Sequence, residues 1–285
     1  MHPDRDFLAP GETAWAPPRP HEGPPPRLPV EQALIQDLGL DALVGAMAGE
    51  DPVLAAVAMR AILTGADNAS ETVRYRQAIL ADFLDRPALL HGLYGAATDA
   101  IEGRKRHWWG LGARNPSHVL HSSVDLLEMY LGVLRRLRVL AEAHAGSVRS
   151  PGLRRLFQTL GRELSDEYLA LVRRHLAELR FPAGLLLSAG LGTRLQGTDY
   201  VLQEDPDKRP AWIRRLWRSG PTGLRFTLNP HDQRGPQILA DLRDRAVNEV
   251  ANALGQSAEH VLGFFENLRA ELAFYVACVN LRERL

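Results

Sequence analysis

The chain has 285 residues, 45% of them apolar, with 34 basic and 34 acidic side chains. That apolar fraction can build a core and excludes a disordered body, while zero net charge excludes a general electrostatic pull on nucleic acid. One cysteine cannot close an internal disulfide, and with no secretory signal or bilayer-length apolar run the expected compartment is the cytoplasm.

Residues 1–29 hold nine of the 19 prolines, among them Pro17-Pro18 and Pro24-Pro25-Pro26. Such a stretch cannot keep regular hydrogen-bonded structure and is expected to be a disordered tail. Trp15 within it is either a docking residue or a side chain lying loosely in solvent. From residue 30 the pattern turns helical, with Leu34, Leu38, Leu40, Leu43 and Met47 broken by Gly39 and Gly49. An alanine-rich run over 52–63 follows. Asn68 and Glu71 read as a capping box opening a helix over 70–84, and Pro87 starts another that runs to Gly103. These short helices make a core module over residues 30–115.

Arg104-Lys105-Arg106-His107-Trp108-Trp109-Gly110 is the first chemically loud stretch. Basic and aromatic side chains together can grip a nucleic-acid backbone and its bases. The alternative is a helix end whose basic residues face carbonyl groups, with the tryptophans packed under the next helix. His118 and His121, three apart, have metal-ligand spacing but no third ligand nearby, and a capping or surface role is the expectation. Cys278 is expected to be a small buried hydrophobe rather than a nucleophile or ligand.

Residues 116–181 carry two long apolar stripes, Leu120 to Ala141 and Leu156 to Leu179, each predicting a rod of about 40 Å and together an outgoing helical hairpin. Residues 182–235 change character. Three short candidate strands, over 185–189, 199–202 and 224–228, are separated by Gly190, Gly192, Gly197 and Gly223. The longest loop carries Lys208, Arg209, Trp212, Arg214, Arg215, Trp217 and Arg218. A basic, tryptophan-bearing segment of this kind can bind phosphates, lie on an anionic membrane surface, dock on a protein, or simply cover the sheet. Residues 236–285 then repeat apolar positions every three or four residues, from Leu239 to Val279, predicting a return helix of roughly 70 Å with a bend at Gly255. The expected fold is mainly α: an elongated bundle of long antiparallel helices with a small antiparallel β insertion at the tip.

Tyr75-Arg76-Gln77-Ala78-Ile79-Leu80, Trp108-Trp109-Gly110 and Phe264 through Tyr275, set in the order long helix, β insertion, long return helix, resemble the region upstream of the ATPase in MutS-type mismatch-repair proteins. The resemblance covers residues 70–285. It implies a lever and clamp-like region contributing to binding of double-stranded DNA, with residues 208–218 at the clamp position. ATP and magnesium belong, by the same resemblance, to a nucleotide-binding module that relatives carry after the position of Leu285. No G-x-x-x-x-G-K-[ST] loop occurs here, so this chain alone is expected to be no enzyme, neither hydrolysing ATP nor reading a mismatch. Phe264-Phe265-Glu266 matches the family's Phe-x-Glu reader pattern but lies mid-helix, where it is read as coincidence. The competing expectation is a helical scaffold that holds a partner protein, or a second copy as a homodimer, without touching nucleic acid.

Overall fold

The structure is a computed structural model that describes residues 29–63, 70–108, 115–182, 186–191, 197–203 and 234–285. In chain order its elements are α1 (Pro29–Asp37), α2 (Leu40–Ala48), α3 (Pro52–Leu63), α4 (Ser70–Asp85), α5 (Pro87–Trp108), α6 (Pro116–His144), α7 (Pro151–Glu163), α8 (Asp166–Glu178), β1 (Leu186–Leu191), β2 (Gly197–Gln203) and α9 (Arg234–Arg284). The chain divides into two compact units. The first is Met1–His107 with Glu128–Arg173 and Glu259–Leu285; the second is Trp108–Leu127 with Arg174–Ala258.

In the first unit the last part of α9 is the central element. Phe264, Phe265, Leu268, Leu272, Ala273, Tyr275, Val276, Ala277 and Val279 are all buried, spanning about 220° of the helix circumference at about 100° per residue, and no residue from 261 to 281 is exposed. A helix with so wide an apolar face must pack against several others. Phe265 meets Tyr130 of α6 at a ring separation of 5.4 Å, and Tyr275 meets Phe83 of α4 at 5.3 Å. Helices α1 to α3 bury Ile35, Leu40, Val44, Met47, Ala58 and Met59 against Ala277, with Phe274, Cys278 and Leu281 packed alongside. Gly39, at φ 61, makes the turn between α1 and α2 in a left-handed conformation that glycine adopts without strain. The last turns of α9 add polar fastenings. Asn280 donates to the Met47 carbonyl at 3.0 Å, and Arg282 to that of Leu84 at 2.7 Å. Both carbonyls lie near helix C-termini, where intrahelical partners run out.

Helices α4 and α7 meet at close range in the same unit. A methyl group on Gly152 would stand 2.5 Å from Ile79 Cδ1 and 3.0 Å from the Tyr75 hydroxyl, so any larger residue there would force the buried Ile79 side chain to move. The start of α7 is held by a carboxylate from α4. The backbone N–H of Arg149 and that of Ser150 donate to Asp82 at 3.0 and 2.7 Å, and Ser150 in turn caps the N–H of Leu153. Such caps contribute about 1 kcal/mol each.

In the second unit the described core is small. Leu120 of α6 packs with Val247 and Ala251 of α9, flanked by Val119, Phe181, Val250 and Leu254. Asn115 caps α6 by accepting the N–H of His118 at 3.1 Å. Asp244 of α9 accepts from both the N–H and the hydroxyl of Ser117. Phe181 ends the turn after α8 at φ 50, a left-handed conformation that costs a side-chain-bearing residue about 1 kcal/mol.

Several sequence expectations are corrected. The mainly α expectation holds, but the small antiparallel β insertion does not. The fold is helical in two compact units, and the described strands amount to one two-stranded ribbon, β1 paired antiparallel with β2 and irregular between Ser188 and Gly190. No further strand joins it among the described residues, and the expected strand over 224–228 lies outside them. The second rod of the expected hairpin, along the stripe Leu156 to Leu179, is two helices. Leu164 leaves helical geometry at φ −111 and ψ 44, and the Ser165 hydroxyl then accepts the N–H of Tyr168 at 3.2 Å. An N-cap serine followed by Asp166 and Glu167 is a helix start. The apolar spacing runs on through the break and conceals it. The return helix expected over 236–285 is found as α9, unbroken through Gly255. The proline-rich tail, Trp15 and Asn68 lie outside the described residues.

Candidate nucleic-acid interface

Two groups of basic residues are the sequence candidates, and the structure describes one of them. Lys208, Arg209, Trp212, Arg214, Arg215, Trp217 and Arg218 all fall in residues 204–233, outside the described set. Arg104, Lys105 and Arg106 lie in the last turns of α5, which ends at Trp108; Trp109 is outside. Cations belong at a helix C-terminus, where the carbonyl ends carry partial negative charge. Arg104 is half-buried and bonded to Glu259 of α9 at 2.6 Å, while Lys105 bonds Glu102, one turn earlier, at 2.7 Å. Arg106 is exposed. Two of the three cations therefore already face carboxylates, which reduces the net field this turn can offer a phosphate.

His118 and His121 are not brought together as ligands. The Nδ1 of His118 lies 3.3 Å from the Ser122 hydroxyl, and His121 Nε2 lies 3.1 Å from an Arg243 terminal nitrogen. A guanidinium only donates, so Nε2 of His121 is the acceptor. Among the described residues no group of three or more His, Cys, Asp or Glu side chains could hold a metal ion. Near this pair is a shallow depression of about 520 Å³ lined by Pro116, Asp241, Asp244, Arg245 and Asn248. Its two carboxylates suit it poorly to an anion. Cys278 is half-buried among the side chains of the α1–α3 cluster, and burial pushes its thiol up to about 11, which keeps it protonated and unreactive.

Two of the three sequence blocks that carry the resemblance, 75–80 and 264–275, do come together. Burial raises the Tyr75 phenol above its usual range; nearby Arg155 acts against that and Glu271 with it. Tyr275 is raised by burial too, with Arg76, Glu271 and Tyr75 in its surroundings. Helix α4 thus sets Tyr75 and Arg76 beside Glu271 and Tyr275 of α9, a polar patch inside the first unit. Glu271 is 9% exposed. Phe264 and Phe265 of the Phe-x-Glu triplet are core residues, at 3% and 0% exposure. In that setting neither ring can stack on a base.

Three features were missed in the sequence. Asp82 is one, a buried carboxylate whose pKa is lowered. Burial alone would raise it, but bonds from Ser150 and Arg149 and the charge of Arg86 outweigh that. A second is Arg138, whose guanidinium bonds Glu142 at 2.7 Å, the Leu164 carbonyl at 2.9 Å and Asp166 at 2.6 Å. It ties the end of α7 and the start of α8 to α6. The third is the run 145–162, which contains four arginines and no acid. A window count of charge would have found that run. The partners of Asp82 and Arg138 are too far away in sequence to be inferred.

No helix among the described residues is long and apolar enough to cross a membrane. Neither a curated protein nor a solved structure is a significant match to the chain. A family model does match. The MutS2 N-terminal domain covers residues 68–285, which takes in α4 to α9, all three blocks that carry the resemblance and the basic stretch 208–218. The chain belongs to the MutS2 N-terminal domain family.

Proposed function

We propose that this chain contributes the DNA-contacting helical arm of a MutS2-type protein, acting in the cytoplasm. Its long helices serve as levers and the basic segment 208–218 as the clamp-like contact with double-stranded DNA. The family match over residues 68–285 carries the reading. The chemistry of Lys208, Arg209, Trp212, Arg214, Arg215, Trp217 and Arg218 supports it, because guanidinium groups meet phosphates and indole rings can stack. Lacking a phosphate-binding loop, the chain is assigned no hydrolytic step of its own. ATP and magnesium are left to a nucleotide-binding module of the kind the resemblance implies.

Fluorescence anisotropy with a labelled duplex across a salt series tests the reading. Binding should weaken steeply with salt, and Arg214→Ala, Arg215→Ala and Arg218→Ala together should flatten the log–log slope by about 0.9 for each phosphate contact removed. Duplex affinity and slope unchanged in the triple variant would remove residues 208–218 from the interface. A second reading, a helical scaffold binding protein or a second copy, is favoured by Leu34, Leu38 and Leu43, exposed by 42%, 63% and 38% on α1 and α2. A stable oligomer in sedimentation, with no shift when duplex is added, would select it.

A further inference from the structure

Residues 145–162 hold Arg149, Arg154, Arg155 and Arg162 with no aspartate or glutamate, in a chain whose formal charge sums to zero. All four side chains are exposed. Arg162 is engaged by Glu163 at 2.8 Å. The other three have no carboxylate in ion-pair reach among the described residues. Arg154 donates through Nε to the Val148 carbonyl at 3.2 Å, which fixes the side chain while leaving its two terminal nitrogens for other acceptors.

The backbone carrying these arginines is held firmly. Asp82 grips the N–H groups of Arg149 and Ser150, and Gly152 is seated against Ile79 and Tyr75. The negative charge of Asp82 is spent on those two groups and on Arg86, 3.7 Å away. A rigid support lowers the entropy lost when a ligand orders the side chains it presents. Over residues 70–81 of α4, the neighbouring helix, the sole acid is Glu71, set against Arg74 and Arg76. The apolar residues of the stretch, Val148, Leu153, Leu156, Phe157 and Leu160, are all buried. No large apolar side chain of the stretch is left outside to enter a bilayer, so the exposed face is charge without a membrane anchor.

We propose that Arg149, Arg154 and Arg155 form a second phosphate-contacting face for double-stranded DNA, distinct in sequence from residues 208–218. This inference rests on the DNA-contacting reading above and extends it to a surface of the first unit. Phosphate contacts of this kind position a duplex without reading its sequence, so the face adds affinity and salt sensitivity but no base preference.

The test compares the full chain with Arg149→Gln/Arg155→Gln, which spares Arg154 and its carbonyl bond, in anisotropy with a labelled duplex over a salt series. The variant should keep the wild-type melting temperature and lose about 1.8 from the log–log salt slope, two contacts at about 0.9 each. Arg149→Lys/Arg155→Lys should keep most of the slope, which separates charge from folding. Wild-type affinity and slope in the glutamine variant, with binding still weakened by the Arg214, Arg215 and Arg218 substitutions, overturns this inference and leaves the first reading standing. A wild-type chain that ignores duplex at every salt concentration overturns both. Uptake by phosphatidylserine vesicles that depends on Arg149 and Arg155, without duplex binding, assigns the face to a membrane and overturns the proposal.

Discussion

Over residues 261–281 no residue of helix α9 is exposed, with Phe264, Phe265, Leu272, Tyr275 and Val276 among its core residues. Over residues 240–258 the same helix hides only a thin stripe of Ala246, Val247, Ala251 and Ala258. The local propensities are alike, since both parts hold a three-to-four residue spacing and neither contains proline. What differs is the number of neighbours. In the first unit helices from α1 to α8 contribute to the core, whereas in the second the described apolar contacts come from one face of α6 and from Phe181. Periodicity predicts a helix; side-chain volume around the circumference predicts how many helices surround it.

The contrast can be broken or sharpened by substitution. Phe265→Ala, at a fully buried site against Tyr130 and Phe264, should cost about 3–5 kcal/mol, read as the shift in a urea midpoint with unchanged slope. Leu120→Ala in the second unit should cost about 2–4 kcal/mol. Hydrogen exchange should report that loss mainly over residues 117–127 and 243–254, with protection over 264–279 retained; equal loss in both would mean that the two cores unfold as one.

Asp82→Asn should cost about 1–3 kcal/mol, because the N–H groups at the start of α7 lose a charged acceptor. Here the sign of the pH dependence is fixed. The folded carboxyl titrates below its usual 3.8, so its stabilisation is complete above that value and is lost as the pH falls through the lower folded pKa. The gap in melting temperature between wild type and Asp82→Asn should therefore be flat from neutrality down to about pH 5 and shrink below pH 4. Smallest of all, Lys105→Ala at an exposed pair with Glu102 should change stability by less than about 0.5 kcal/mol, as a thermal melt will show.

The legible part of this fold was whatever a short window can hold. Helix starts at Pro52, Pro87 and Pro116 and the long terminal helix followed from proline placement and apolar spacing. The break at Leu164 and Ser165 did not, because capping is a two-residue event inside an unbroken stripe. The division into units was also hidden. It depends on which stretches of α6 and α9 find partners, and side-chain type alone does not say. At the candidate interface the sequence named charged residues correctly as charged but could not tell a paired cation from a bare one. Arg104 and Lys105, prominent on paper, face Glu259 and Glu102, while Arg149 and Arg155, unremarked, face no carboxylate among the described residues.

The fastening of α2 to the end of α9 sets an order of events during synthesis. Met47 and Asn280 are 233 residues apart, and Ala277 completes the cluster that Ile35, Val44 and Ala58 begin. At about 5–20 residues per second, a ribosome needs on the order of ten seconds or more to cover that distance. Throughout that interval the first three helices emerge with their apolar faces lacking the surface they finally cover. Helices α1 to α3, translated long before the end of α9, are thus among the last to reach their native packing, and chaperone attention or nascent-chain aggregation should concentrate there.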